Sequence, residues 1–189
     1  MSLIIPANSL AGGFAIDNSL RFNSASSDYL SRTPASASNR KTWTWSAWYK
    51  GSGTQWSPFG GGGGSNDLRI IIDADGRIRT NVSGVGNYNY SNGLYRDVSA
   101  WYHLVWKFDT TEATASDRSI LYINGEAISD QNIANFSLNT DYAINTNTLH
   151  AISRLTNSAV YYHDGYMSEI NFIDGQALTP TDFGEFDED

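Results

Sequence analysis

The chain contains no cysteine. Disulfide bridges, thiolate metal sites and covalent cysteine catalysis are therefore excluded. Cations are scarce: 12 Lys and Arg face 20 Asp and Glu, for a net charge of −8 and a pI of about 4.7. No basic stripe is visible, which argues against a nucleic-acid binder. No apolar run approaches the roughly 20 residues that span a bilayer. The opening Met1-Ser2-Leu3-Ile4-Ile5-Pro6 has no basic flank and only a short apolar run, so it is not expected to be a secretory signal. Helical signals are few, and no internal repeat supports a propeller or solenoid.

Large rings, by contrast, are plentiful. Aromatic residues make up 13% of the 189, including 6 Trp and 11 Tyr, too many for a disordered chain. A domain of this length buries roughly 70% of its unfolded surface, enough for one ordinary core. The apolar runs are β-rich and short. Thr42 to Lys50, TWTWSAWYK, alternates Trp43, Trp45 and Tyr49 against Thr44, Ser46 and Trp48. Trp101 to Asp109 alternates Tyr102, Leu104, Trp106 and Phe108 against Trp101, His103, Val105 and Lys107. Leu68 to Asp73 and Arg77 to Asn81 flank Asp75-Gly76, and Ser119 to Ile123 precedes Asn124-Gly125. Both pairs are hairpin signals, and Asn-Gly suits a turn whose two central residues need φ > 0. Ser19 to Phe22, Glu126 to Ile128, Leu149 to Leu155, Ala159 to His163 and Tyr166 to Ile173 complete about ten strands. That spacing predicts a two-sheet antiparallel sandwich. Thr179-Pro180-Thr181-Asp182 predicts one short helical turn with a Thr cap and Pro at its first position.

Two flanks differ from the rest. Residues 1–16 form an apolar arm whose Leu3, Ile4 and Ile5 would either pair with a partner's sheet edge or lie on their own domain. The segment 184–189 ends in an acidic tail that reads as solvated. Residues 17–183 are left as the folded unit. Asp109 reads as a turn cap. Gly60 to Gly64 reads as a flexible or tightly turning loop, since Ser65-Asn66-Asp67 follows where a phosphate loop needs Lys. His103, His150 and His163 lack ligand spacing, and no nucleophile-elbow sequence accompanies them. Tyr88, Tyr90, Tyr95, Tyr161 and Tyr162 lie in or near loop segments rich in Asn and Asp. Such rings suit stacking on sugar faces, and equally suit protein contacts.

The order TWTWSAWYK, AWYHLVWKFD, LYINGEAI and GYMSEINFIDGQAL resembles the laminin-G/pentraxin-like branch of the concanavalin A-like jelly rolls, over roughly residues 18 to 183. The resemblance implies an all-β, two-sheet antiparallel jelly-roll sandwich, with His103 structural. Relatives in this branch include glucanases, which carry paired carboxylates in an E-x-D-x-x-E strand, and calcium binders. Here Glu169 is followed by Ile-Asn-Phe-Ile-Asp, so the carboxylate alternation is broken. Asp73-Ala74-Asp75-Gly76 lacks the third ligand and the distal Glu of an EF-hand loop, and reads as a hairpin turn. Asn124, Asp141 and Asp164 also sit in predicted turns, without a convergent set of ligands. No metal or other cofactor is expected.

The phrases SLIIPAN, SLRFNSASSDYLSRTPASASNRKTWTWSAWYK and EINFIDGQALTPTDFGEFD are further similar to virion structural proteins of tailed bacteriophages. That resemblance implies a non-enzymatic structural protein, a capsid decoration or cement protein, made in the host cytoplasm and located in the virion. Its expected partners are phage capsid or tail proteins and further copies of itself, a trimer being the first guess. The alternative is a tail-fibre or tail-tip protein that recognises host glycan through the five tyrosines. Neither nucleic acid nor membrane is an expected partner.

Overall fold

The computed structural model describes residues 18–51, 53–63, 67–82, 86–128 and 135–184, without the side chains of Asn87 and Tyr88. The arm with Leu3, Ile4 and Ile5 and the tail from Glu185 lie outside the described residues. Twelve strands form: β1 (Leu20–Phe22), β2 (Leu30–Arg32), β3 (Thr42–Gly51), β4 (Phe59–Gly61), β5 (Leu68–Ile72), β6 (Ile78–Val82), β7 (Gly86–Tyr90), β8 (Tyr102–Asp109), β9 (Ser119–Ile123), β10 (Glu126–Ala127), β11 (His150–Ile152) and β12 (Gly165–Asp174). They pair antiparallel into two six-stranded sheets. Sheet A runs β1-β12-β3-β8-β9-β10, and sheet B runs β2-β11-β4-β5-β6-β7. The expected jelly-roll sandwich is thus present, and the described helical turns are all short 3-10 segments.

The alternation in β3 and β8 explains the core. Trp43, Trp45, Ala47 and Tyr49 face inward from β3, and Leu104, Trp106 and Phe108 face inward from β8. Trp43 stacks on Phe108 at 4.6 Å and meets Trp106 edge-on at 4.8 Å. Across the gap, Trp45 lies nearly parallel to Phe59 of β4, 5.5 Å away. The sheets are also tied by a buried polar chain. Trp106 Nε1 donates to Ser119 Oγ at 2.9 Å, Ser119 Oγ donates to Asn89 Oδ1 at 2.8 Å, and Thr80 Oγ1 donates to the same oxygen at 2.8 Å. A buried donor left without a partner would cost about 1–3 kcal/mol, so this chain fixes how β7 meets β9.

Turn chemistry follows the sequence closely. Asn124 and Gly125 hold φ of 50° and 83° between β9 and β10. Gly76 holds φ 84° between β5 and β6, where Arg77 N also donates to Asp75 Oδ1. Asp109 Oδ1 accepts from Thr111 N at 2.9 Å and from Thr42 Oγ1 at 3.1 Å, the role of a turn cap. Thr179 N donates to Asp182 Oδ2 at 2.8 Å and caps the turn at Pro180–Asp182.

Three expectations are corrected. Gly60 and Gly61 are strand residues of β4 rather than loop. A Cβ on Gly61 would meet the His150 ring at 2.4 Å and Ile144 Cδ1 at 2.7 Å, so neighbours fill the space a side chain would need. Ala159 to His163 is not a strand, because Tyr161 takes φ 64° and gives its carbonyl to Ser57 N. Leu149 to Leu155 contracts to β11, ended by Ser153 at φ 74°. Strands β2, β4 and β7 were not foreseen.

Truncating Trp106 to Ala is expected to destabilise the fold by about 3–5 kcal/mol, since it opens a cavity and removes the N–H that Ser119 Oγ accepts. Gly165→Ala should also be severe, because its Cβ would stand 2.1 Å from the Lys50 carbonyl oxygen. Urea unfolding monitored by tryptophan fluorescence checks both.

Candidate functional site

Two surfaces collect the residues singled out from the sequence. The first is the outer face of sheet B. Leu68, Ile70 and Ile72 of β5, and Ile78, Thr80 and Val82 of β6, point inward, which turns Arg69, Arg77, Arg79 and Asn81 outward. Arg69 Nε donates to Asn81 Oδ1 at 3.0 Å, and its Nη1 donates to Asn157 Oδ1 at 3.2 Å. Arg79 grips Asp73 through two bonds, Nε to Oδ2 at 2.8 Å and Nη2 to Oδ1 at 3.0 Å. Gln55 Nε2 donates to the same carboxylate at 2.5 Å. The Arg77 guanidinium lies 5.5 Å from the Tyr90 ring centre. Burial lowers the Arg69 pKa and raises that of neighbouring Asp67, while their mutual attraction opposes both shifts.

The second surface surrounds Tyr29. Its ring stacks beneath the Arg154 guanidinium at 4.3 Å and lies 6.3 Å from Tyr162. Tyr29 is itself exposed. The segment carrying Arg154 and Tyr162 is anchored by His163, whose ring stacks on Trp56 at 3.7 Å, and by the Tyr161–Ser57 bond.

The five tyrosines therefore do not converge. Tyr162 accompanies the second surface and Tyr90 the first, where Tyr161 also lies near enough to Arg69 to act on its charge. Tyr95 turns toward the core, edge-on to Tyr102 at 5.7 Å, and lines a small cavity of about 180 Å³. The Tyr88 side chain lies outside the described residues. Tyr29, Arg154, Arg69 and Arg79 were missed by sequence reasoning. The β5 and β6 alternation could have flagged the two β-strand arginines. Nothing local marks Tyr29, whose partners lie more than a hundred positions away.

The histidines hold structure together. On the outer face of sheet A, His103 stacks on Trp48 at 4.6 Å, and its Nε2 lies 2.9 Å from Ser46 Oγ. The segment after β12 covers this face: Thr44 Oγ1 donates to the Gln176 carbonyl, and Leu178 N donates back to Thr44 Oγ1. Trp48 is consequently buried outside the inter-sheet layer. Glu169 is exposed at φ 46° in a β-bulge, with no second acid on its strand until Asp174. Among the described residues, no group of three or more His, Asp or Glu is arranged to hold a metal.

These features define a jelly roll of lectin-like architecture. Residues 24–182 match the family described as the concanavalin A-like lectin/glucanases superfamily, and the chain belongs to that family. No curated protein matches it in sequence. Among solved structures, it resembles domains LG4-5 of the mouse laminin alpha1 chain, with a TM-score of 0.58 and 12% identity over 82% of this chain and 40% of that one. The native heptameric SAP-like pentraxin of Limulus polyphemus gives 0.53 and 15% identity over 80% and 71%. The CBM40 of a Ruminococcus gnavus IT-sialidase, bound to alpha2,6 sialyllactose, gives 0.51 and 13% identity over 89% and 97%. At these identities the likeness establishes the fold.

Burial pushes the pKa values of His103 and His163 down to about 4, and lowers that of His150. All three protonate near 6.5 in an unfolded chain. The folded state thus binds fewer protons between these values, and stability is lost as pH falls from about 6.5 toward 4. The urea midpoint is expected to fall between pH 7 and pH 5. His163→Phe, which keeps the ring on Trp56, should make that decline shallower.

Proposed function

We propose that this chain is a non-enzymatic structural protein of a tailed-phage particle, a capsid decoration or cement module that acts through protein contacts. The observation that carries the reading is how the polar groups are employed. Asp73 clamps Arg79 and Gln55, Asp109 caps a turn, and His103 and His163 stack on Trp48 and Trp56. The side chains best suited to acid–base work are thereby committed to local architecture. The similarity of the opening and closing phrases to virion proteins supplies the particle context. The arm with Leu3, Ile4 and Ile5 supplies an apolar element suited to strand addition on a neighbour.

Two measurements test this reading. Reconstruction of the virion should find the protein in many copies on the shell. Deleting residues 1–13 should leave the fold intact while weakening self-association and particle attachment, measured by sedimentation and by protein content of purified particles. Normal attachment of the truncated chain would remove the arm from the account.

A second reading is recognition of host glycan at a tail tip. The exposed Tyr29, with Tyr162 and Arg154 against it, favours this alternative, because rings beside a guanidinium suit sugar faces and acidic substituents. The solved likeness that is bound to sialyllactose makes that trisaccharide a sensible first probe. On this reading, a glycan array gives a signal that Tyr29→Ala and Tyr162→Ala each reduce at least tenfold. An array with no signal, together with shell location, leaves the structural reading alone.

A further inference from the structure

The sandwich is open along one side. There β1 and β2 are the edge strands of their sheets, and the inward-facing residues between them are not covered. Leu20 and Leu30 both point between the sheets, yet they are 49% and 45% exposed. With Ile152, Met167 and Ile170 they line a groove of about 370 Å³, which Asn18 and Ser19 enter at its rim. A neighbouring cleft of about 610 Å³ shares Leu30 and Ile152 with this groove and adds Phe59 and Phe172.

The sheet edge beside the groove is incomplete in a defined way. β12 pairs with β3 along nearly its whole length, from Gly165 to Asp174. Among the described residues its other side pairs only with β1, and that register stops at Leu20 opposite Met167. The Ser168 hydroxyl then donates to the Asn18 carbonyl, which holds the chain against β12 just past the last register pair. The edge of Ile170–Asp174 has no partner strand among the described residues.

The sequence upstream of Asn18 fits that edge. Even positions read Phe14, Ile16, Asn18, Leu20 and Phe22, and odd positions read Ala15, Asp17, Ser19 and Arg21. This is the two-residue period of a half-buried strand, already in phase with the inward side of β1. If the bulge between Ser168 and Asn171 is counted, the antiparallel register sets Ile16 opposite Phe172, both inward, and Asp17 opposite Asn171, both outward. Five extended residues cover roughly 17 Å, the length of the five-residue edge they would meet.

We propose that residues 13–17 of the chain itself extend β1 along the edge of Ile170–Asp174, with Phe14 and Ile16 seated in the groove between the two sheets. The observed attachment at Asn18 favours the chain's own segment over that of a second copy, because the tether delivers it at high local concentration. The proposal concerns only this proximal part of the arm, and it stands whether or not Leu3, Ile4 and Ile5 reach a neighbour.

The absence of cysteine makes the test clean. Asp17→Cys and Asn171→Cys are combined in the full chain, and the product is oxidised and run on non-reducing gels. A monomer of altered mobility, reversed by reductant, is expected in most of the protein. A disulfide-linked dimer would assign the groove to a second copy and overturn the proposal, as would persistence of free thiols. In parallel, Phe14→Asp with Ile16→Asp should lower the melting temperature by about 5 °C or more and raise binding of a hydrophobic dye severalfold. An unchanged melting temperature and unchanged dye binding would also overturn it.

Discussion

The contact on which the fold turns is the one between the indoles of β3 and the ring of Phe59. Trp43 and Trp45 are presented inward by strict alternation, and Phe59 meets both from the opposite sheet. Further rings pack around that junction: Phe108 and Trp106 beside Trp43, and Phe172 between Trp43 and Phe59. Among the described residues the two central indole N–H groups have no hydrogen-bond partner, a cost of about 1–3 kcal/mol for each buried donor. Ring packing outweighs that cost, so dispersion and area burial rather than polar pairing hold the middle of the sandwich. Polar pairing returns at one flank, where Trp106, Ser119, Asn89 and Thr80 link the sheets.

The junction also explains the glycines of β4. Phe59 must approach β3 closely, and the His150 and Ile144 side chains crowd the same stretch of backbone. Gly60 and Gly61 let β4 sit beneath them without side chains of its own. A run that reads as a loop in isolation is therefore a strand, because its neighbours provide the bulk.

Much of the architecture could be read from the chain alone. The periods of two in Thr42–Lys50 and Trp101–Asp109 identified the inward residues, and Asn124-Gly125 and Asp75-Gly76 marked the hairpins β9–β10 and β5–β6. Those signals are local, so they survive without a partner strand in view. What could not be read is what depends on distant atoms. Leu30–Arg32 is a strand because β11 lies beside it, and Tyr161 leaves the strand conformation to bond Ser57. The tyrosines illustrate the same limit. Their loop neighbours suggested one cluster, whereas the fold turned Tyr95 inward and gave Tyr162 the companions Tyr29 and Arg154. Burial of Thr44, Ser46 and Trp48 on the nominally outer face likewise required the segment after β12 to fold back over sheet A.

The bulge at Glu169 divides β12 into two halves of opposite phase. Before it, odd-numbered Met167 faces the core; after it, even-numbered Ile170 and Phe172 do. The strand thus carries one extra residue, and the apolar pattern beyond it is offset by one position to match. Removing Glu169 would close the bulge and leave Met167, Ile170 and Phe172 on one regular alternation, all facing the core. Parity therefore sets what drift this stretch tolerates: loss of Glu169 only straightens the strand, whereas loss of Asn171 would turn Phe172 out of the core.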